Sequence, residues 1–306
     1  MVQSSRIYPF RPEGSLLRHG FQLFWASLKE GLFGRRYKMA IDITDRCTNH
    51  CRHCSNRERG DARQEEEPTP EQWEERFDGY RRRGIISVIM VGGEPALRPD
   101  VLLAAHRRFL HVTTITNGQI KIPESFQRRI YVSLDGPEEI TGRLRGRGAF
   151  RRVLANYEGD RRAVLNCVLT AENHQVVGTM MEIVREMGVA GVSFNLYGPN
   201  IGEQSPLILS REQRREIEQQ MLEARSKHRS LFFMNRRMIR WLCDGRHADR
   251  CLWRSRTVHQ DLRETPRKCY SDTFDCDQCG CHSGAVTCTG LNNLLSLPMF
   301  LRLFFG

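Results

Sequence analysis

The chain has 306 residues, with 47 Lys and Arg against 36 Asp and Glu, a net charge of +11 and 11 cysteines. That length buries a substantial core and makes one large domain with appendages, or two small ones. Residues 1–14 lack the apolar stretch of a secretory signal and no apolar run is long enough to span a bilayer, which points to a reducing cytoplasmic setting, where eleven thiols suit metal ligation better than disulfides.

The N-terminal segment S-L-L-R-H-G-F-Q-L-F-W-A-S-L-K-E-G-L-F-G places Leu17, Phe21, Phe24, Leu28 and Leu32 at helical spacing, with Trp25 beside them. Arg18, Lys29, Arg35, Arg36 and Lys38 lie on or near it. Residues 1–36 therefore read as an amphipathic extension, packed on the domain or lying at the inner face of a membrane. A strand over 39–44 follows and runs directly into D-R-C-T-N-H-C-R-H-C-S, which carries Cys47, Cys51 and Cys54. The acidic stretch 63–67 reads as a solvated loop. Thr69, Pro70 and Gln72 supply an N-cap, a proline at the first helical position and a capping box for a helix ending near Arg83.

A buried strand over 85–91 ends in Gly92-Gly93-Glu94-Pro95, and a helix follows Pro99. Strands are predicted over 112–116, ending at Asn117-Gly118, and over 130–134, leading into Asp135. Further strands are predicted over 163–169 and 192–197, with helices over 150–158 and 176–187. Ser210 and Gln213 open a last helix with the apolar stripe Ile217, Met221 and Ala224. Six strand–helix units predict an α/β parallel sheet whose functional groups collect at the C-terminal strand ends. The organisation expected is an extension over 1–36, a core over 37–240, and a Cys-rich region with an apolar tail over 241–306.

The triplet is the chief chemical signal. Three thiolates on one loop can hold three irons of a cubic 4Fe–4S cluster and leave the fourth open. A structural zinc normally closes with four ligands, and His50 and His53 are the nearby extras. Gly92 and Gly93 let the backbone approach a ligand, and Glu94 is suited to receive an ammonium group.

Together, the triplet and G-G-E-P resemble the radical S-adenosylmethionine (radical SAM) superfamily over roughly residues 38–209. The resemblance implies a partial (β/α)6 TIM-like barrel with a small Cys-rich C-terminal extension. It implies a 4Fe–4S cluster on Cys47, Cys51 and Cys54, with S-adenosyl-L-methionine on the open iron. It also implies cofactor contacts from His53, Gly92, Gly93, Glu94, Pro95, Asn117, Ser133 and Arg145. His53 stands where an aromatic packs near the adenine, Ser133 in Y-V-S-L-D-G-P where a polar residue meets the ribose, and Arg145 where an arginine meets the carboxylate. Reductive cleavage to a 5′-deoxyadenosyl radical would begin the reaction, and oxidation, epimerisation or radical addition would complete it.

The C-terminal cysteines resemble, loosely, the SPASM and twitch modules of that superfamily. A second 4Fe–4S cluster is expected on Cys251, Cys269, Cys276 and Cys279, with Cys281 as a substitute. Structural zinc is the alternative. Cys243, Cys281 and Cys288 are candidate hydrogen-atom donors, whereas Cys167 on its strand reads as core. The expected substrate is a small or lipid-like metabolite, isoprenoid or phosphate-bearing, with an acidic flavodoxin- or ferredoxin-type electron donor and peripheral membrane contact as further partners. A peptide-modifying maturase is the alternative, although 36 residues look short for a leader-peptide domain. A non-enzymatic zinc or iron–sulfur protein that binds nucleic acid is a third reading, which G-G-E-P and the six repeated units disfavour.

Overall fold

The structure is a computed structural model describing residues 21–22, 25–26, 29–30, 33–54, 66–245, 251–270 and 272–290, the last four by backbone alone. Six strands, β1 (Lys38–Asp42), β2 (Ser87–Val91), β3 (His111–Thr116), β4 (Arg129–Ser133), β5 (Ala163–Leu169) and β6 (Gly191–Leu196), pair in chain order and all in parallel. The connections run through α1 (Pro70–Arg82), α2 (Pro99–Arg108), α3 (Glu138–Arg145), α4 (Ala149–Tyr157) and α5 (Val177–Met187), and α6 (Arg211–Lys227) follows β6. The result is the expected open, partial barrel. The capping boxes at Thr69 and Ser210 both form. The stripe Ile217, Met221 and Ala224 is buried. Helix α3 was not expected. It is short and mostly polar, and only Thr141, Leu144 and Arg145 are buried on it.

The pleat sorts the strand residues into two sets. Val88, Met90, Val112, Ile130, Val132, Leu165, Cys167 and Leu169 point to the helices and form the core. Ser87, Ile89, Thr113, Ile115, Tyr131, Ser133, Asn166, Val168 and Asn195 alternate with them and line an internal cavity. Cys167 therefore packs in the core, as its strand position suggested.

The C-terminal region joins the barrel's own sheet. After α7 (Arg236–Asp244) and α8 (Leu252–Arg256), strand β7 (Thr257–Gln260) pairs in parallel with β1, and β8 (Pro266–Arg267) pairs antiparallel with β7. The sheet thus has eight strands in the order β6-β5-β4-β3-β2-β1-β7-β8. The chain then crosses to the opposite edge. Asp275 N–H donates to Pro199 O (2.9 Å), Ile201 N–H to Thr273 O (2.9 Å) and Leu196 N–H to Gly280 O (2.8 Å). Helix α9 (His282–Gly290) closes against α7 and β6. One segment therefore reaches from the β1 edge to the β6 edge across the gap of the open barrel.

The described residues between 21 and 33 are helical, and of the expected stripe only Phe21, with Trp25 beside it, is among them. Phe21, Trp25 and Phe33 are 66%, 49% and 71% exposed, while Glu30 is buried and faces Lys38 and Arg256, each at 3.8 Å. Leu17, Arg18, Phe24, Leu28 and Leu32 lie outside the described residues, as does the apolar tail after 290. Among the described residues, no helix is long and apolar enough to cross a membrane.

Candidate active site

A cavity of about 390 Å³ opens at the C-terminal ends of the strands. Cys47, Cys51 and Cys54 line one part of its wall, and Cys251, Cys269, Cys276, Cys279 and Cys281 line another. Eight of the chain's thiols thus face one space, drawn from segments some two hundred residues apart.

The first loop is set by backbone contact with G-G-E-P. Gly93 N–H donates to Thr44 O and Glu94 N–H to Arg46 O, both at 2.7 Å. A Cβ on Gly93 would come within 2.1 Å of Arg46 O, and one on Gly92, at φ +125°, within 2.3 Å of Thr44 O. The glycines are required by the cysteine loop itself as well as by any ligand. Glu67 completes the clamp. It accepts from Thr44 Oγ1, from Asp45 N (3.2 Å) and from Arg46 (3.1 Å), so the end of the acidic stretch is a tether and not a solvated loop. Residues 63–65 lie outside the described residues.

Glu94 is engaged by the chain itself. Its carboxylate is fully buried and accepts from Ala96 N (2.8 Å), Thr116 Oγ1 (2.6 Å) and Asn117 N (2.6 Å). It splices the end of β2 to the end of β3, and neither Glu94 nor Pro95 lines the cavity. Gly92 and Gly93, just past the end of β2, line the cavity, whereas the Glu94 side chain is turned into the protein. Burial pushes its pKa up, and Thr116, Asn117, Ala96 and Arg145 pull it back.

Behind the loop sits a buried charged network. Arg145 Nε lies 2.6 Å from Asp135 Oδ2 and its Nη2 donates to Oδ1 at 3.0 Å. Asp135 also accepts from Val168 N (2.9 Å) and faces His53 Nε2 at 3.3 Å. The carboxylate that Arg145 binds here is therefore Asp135. Arg145 Nη1 lies 4.0 Å from Cys51 Sγ. Burial would raise the Asp135 pKa, but Arg145, His53 and the Val168 amide hold it below the usual range. Burial brings His53 down to about 4, so its ring is neutral near pH 7.

The three thiols fit a thiolate-bound cluster by their donors and their charge. Asn49 N–H (3.5 Å) and Asn117 Nδ2 (3.6 Å) point at Cys47 Sγ, and Arg145 at Cys51. Burial raises the Cys47 thiol and brings that of Cys51 to about 11, and both feel Cys54. Thiols so placed keep their protons until a metal replaces them. Among the described residues, no three His, Cys, Asp or Glu side chains converge to hold a single metal ion, and the thiolates of a cubane bind separate irons.

The second set is built the same way. Burial first, then the neighbouring thiols, bring Cys269 and Cys281 to about 12 and push Cys279 higher still. Arg214 donates to Gln278 O and lies 3.5 Å from Cys279 O, fixing this loop to α6. A Cβ on Gly280 would meet Leu196 Cβ at 2.2 Å, so the loop lies directly on β6.

Of the candidate donors, Cys281 lines the cavity, whereas Cys243, on the buried face of α7, packs in the core and does not. The side chain of Cys288 lies outside the described residues. The sequence reading missed the polar floor of the cavity, where Asn195 Nδ2 (2.8 Å) and Ser193 Oγ (3.1 Å) donate to Asn166 Oδ1, and His282 N–H donates to Asn195 Oδ1 at 2.8 Å. Its only signal is a polar residue at every second place of a buried strand. Trp253 and Tyr270, which stack with centroids 5.9 Å apart, form wall from the C-terminal region.

Residues 41–171 match the model of the Radical SAM superfamily. The chain carries a radical SAM domain. PqqA peptide cyclase of Ruegeria pomeroyi is 29% identical over 214 residues, covering 62% of this chain and 56% of that protein. AdoMet-dependent heme synthase of Methanosarcina barkeri is 30% identical over 184 residues, covering 55% and 52%. The chain thus spans about half the length of these curated relatives. SuiB of Streptococcus suis aligns with a TM-score of 0.62 at 15% identity, over 83% of this chain and 64% of SuiB, a likeness of fold.

Proposed function

We propose that this chain is a radical SAM enzyme acting on an organic substrate held between two cysteine sets. The observation that carries the reading is the convergence of Cys47, Cys51 and Cys54 with five C-terminal thiols on one cavity inside a radical SAM domain. Cys47, Cys51 and Cys54 would hold a 4Fe–4S cluster. When bound, that cluster and S-adenosyl-L-methionine supply one-electron cleavage of the sulfonium and a hydrogen-abstracting 5′-deoxyadenosyl group.

The chain's own residues do the rest. Gly92, Gly93, Asn117, Ser133 and His53 give the cofactor side of the cavity its wall, and Asn117 donates to the Thr48 hydroxyl at 2.9 Å, which stiffens the cysteine loop. Arg145 keeps a positive charge beside Cys51. Tyr131, Asn166 and Asn195 offer hydrogen bonds from the floor. Trp253, Tyr270 and Phe274 exclude water on the C-terminal side. Cys251, Cys269, Cys276 and Cys279 would hold an auxiliary 4Fe–4S cluster, with Cys281 left over as a thiol on the cavity. An acidic flavodoxin-type donor suits the chain's positive surplus.

Two substrate classes fit the cavity. A small or lipid-like metabolite matches its size and largely apolar wall. A peptide side chain reaching in from outside is favoured by the relatives, since PqqA peptide cyclase is named for its action on a peptide.

Anaerobic reconstitution followed by dithionite and S-adenosyl-L-methionine should yield 5′-deoxyadenosine, and Cys47→Ala should abolish it. A fully loaded chain that forms none refutes the proposal. About eight irons and eight sulfides per chain support two clusters, whereas about four with one zinc supports a structural metal. Cys276→Ser and Cys281→Ser then identify the fourth auxiliary ligand, because only its loss lowers the iron count.

A further inference from the structure

The opposite pole of the barrel, at the N-terminal strand ends, holds a second cavity of about 1030 Å³. Its wall includes Lys29, Arg35 and Arg36, then Arg81, Arg82 and Arg83 from the end of α1, then Arg107, Arg108 and Arg128. Among the described residues, no Asp or Glu lines it. Sequence distance hid this grouping, because four separate segments meet only in the fold. Arg107 and Arg108 pair with Glu74 and Asp78 at the margin. Arg35, Arg81 and Arg82 are exposed and have no acidic partner within ion-pair distance among the described residues.

The same rim carries the outward stripe of the N-terminal helix. Phe21 and Trp25 stack with centroids 6.4 Å apart, Lys29 Nζ lies 5.9 Å from the Trp25 ring, and Phe33 continues the row. Aromatic rings beside a block of cations match the headgroup layer of an anionic bilayer on both counts.

We propose that this pole docks on the surface of an anionic lipid bilayer. A soluble phosphate would satisfy the arginines but leave the exposed rings in water. A second copy meeting this face through two-fold symmetry would bring the same cations against each other. The terminal segments 1–20 and 291–306 contain a single acidic residue, Glu13, and so cannot neutralise the groove. Docking through this pole leaves the catalytic cavity, at the other strand ends, free. The proposal stands independently of the radical SAM chemistry.

The test is flotation of the 306-residue chain with phosphatidylcholine vesicles, with and without about one third phosphatidylserine. Binding should require the anionic lipid and fall at about 0.5 M salt. Arg35→Gln/Arg81→Gln/Arg82→Gln should weaken partitioning on the order of 100-fold. The equal-charge control Arg211→Gln/Arg215→Gln/Arg237→Gln, on α6 and α7, should stay within a few-fold. Independently of these charge variants, brominated lipids should quench a share of the fluorescence that Trp25→Phe removes. Absence of binding, equal binding to neutral vesicles, equal loss in both triple variants, or no quenching of Trp25 each overturns the proposal.

Discussion

Replacing Glu94 by alanine removes a side chain that ties the G-G-E-P turn to the end of β3. Three donors, Ala96 N–H, Thr116 Oγ1–H and Asn117 N–H, would lose their acceptor at a site with no solvent exposure. Hydrogen bonds to a charged group contribute about 1.5–3 kcal/mol each. Against their sum stands the relief of no longer burying a carboxylate, whose raised pKa marks that burial as unfavourable. Setting that relief against the three bonds, the expected loss is about 3–5 kcal/mol. Glu94→Gln keeps one oxygen but turns an NH2 toward a donor, and should lose about 2 kcal/mol. Urea denaturation of the metal-free chain, followed by circular dichroism, measures both. A Glu94→Ala chain within 1 kcal/mol of wild type that nevertheless fails to bind S-adenosyl-L-methionine would refute the structural reading and return the carboxylate to the ligand.

Gly93→Ala should fold but load little iron on the first site, because its Cβ must push Arg46 O, 2.1 Å away, out of the cysteine loop; iron counting after reconstitution checks this, and a normal first cluster contradicts it. Asp135→Asn leaves Arg145 buried beside a weaker partner and should cost about 3–5 kcal/mol, read by denaturation of the metal-free chain. His259 is buried with neither ring nitrogen hydrogen-bonded, between Trp253 and Tyr270, and burial lowers its pKa to about 4. The unfolded chain therefore takes up this proton first as pH falls below 6.5. The histidine's share of stability is intact above that pH and is lost on the way to about pH 4. Relative to His259→Phe, the wild type should weaken by up to about 3 kcal/mol across that window, and parallel stability–pH curves would exclude the effect.

Much of the fold was legible because each signal was local. The capping boxes at Thr69 and Ser210 name their own helices. The strand over 163–169 is apolar enough to stand as predicted, and the Cys triplet carries its loop within eight residues. What escaped has a common physical cause. T-V-H-Q is only four residues long, too short a run to announce a strand by itself, and β7 pairs with the free edge of β1. Asn166, Asn195 and Tyr131 take meaning only when the pleat turns them inward, and Arg145 found Asp135 because α3 brings the two together.

The sequence by itself determined the chemistry on offer: three thiols on a loop after a strand, a glycine pair after the next, and a reserve of cysteines near the end. Which groups face each other was decided by the tertiary structure alone. Side-chain type sets what an atom can bind, but the direction it points depends on pleat parity and on neighbours distant in the chain. Hence Glu94, chemically fit for a ligand, serves the backbone. Five remote cysteines join the first three around one cavity, and nine scattered cations collect at the far pole.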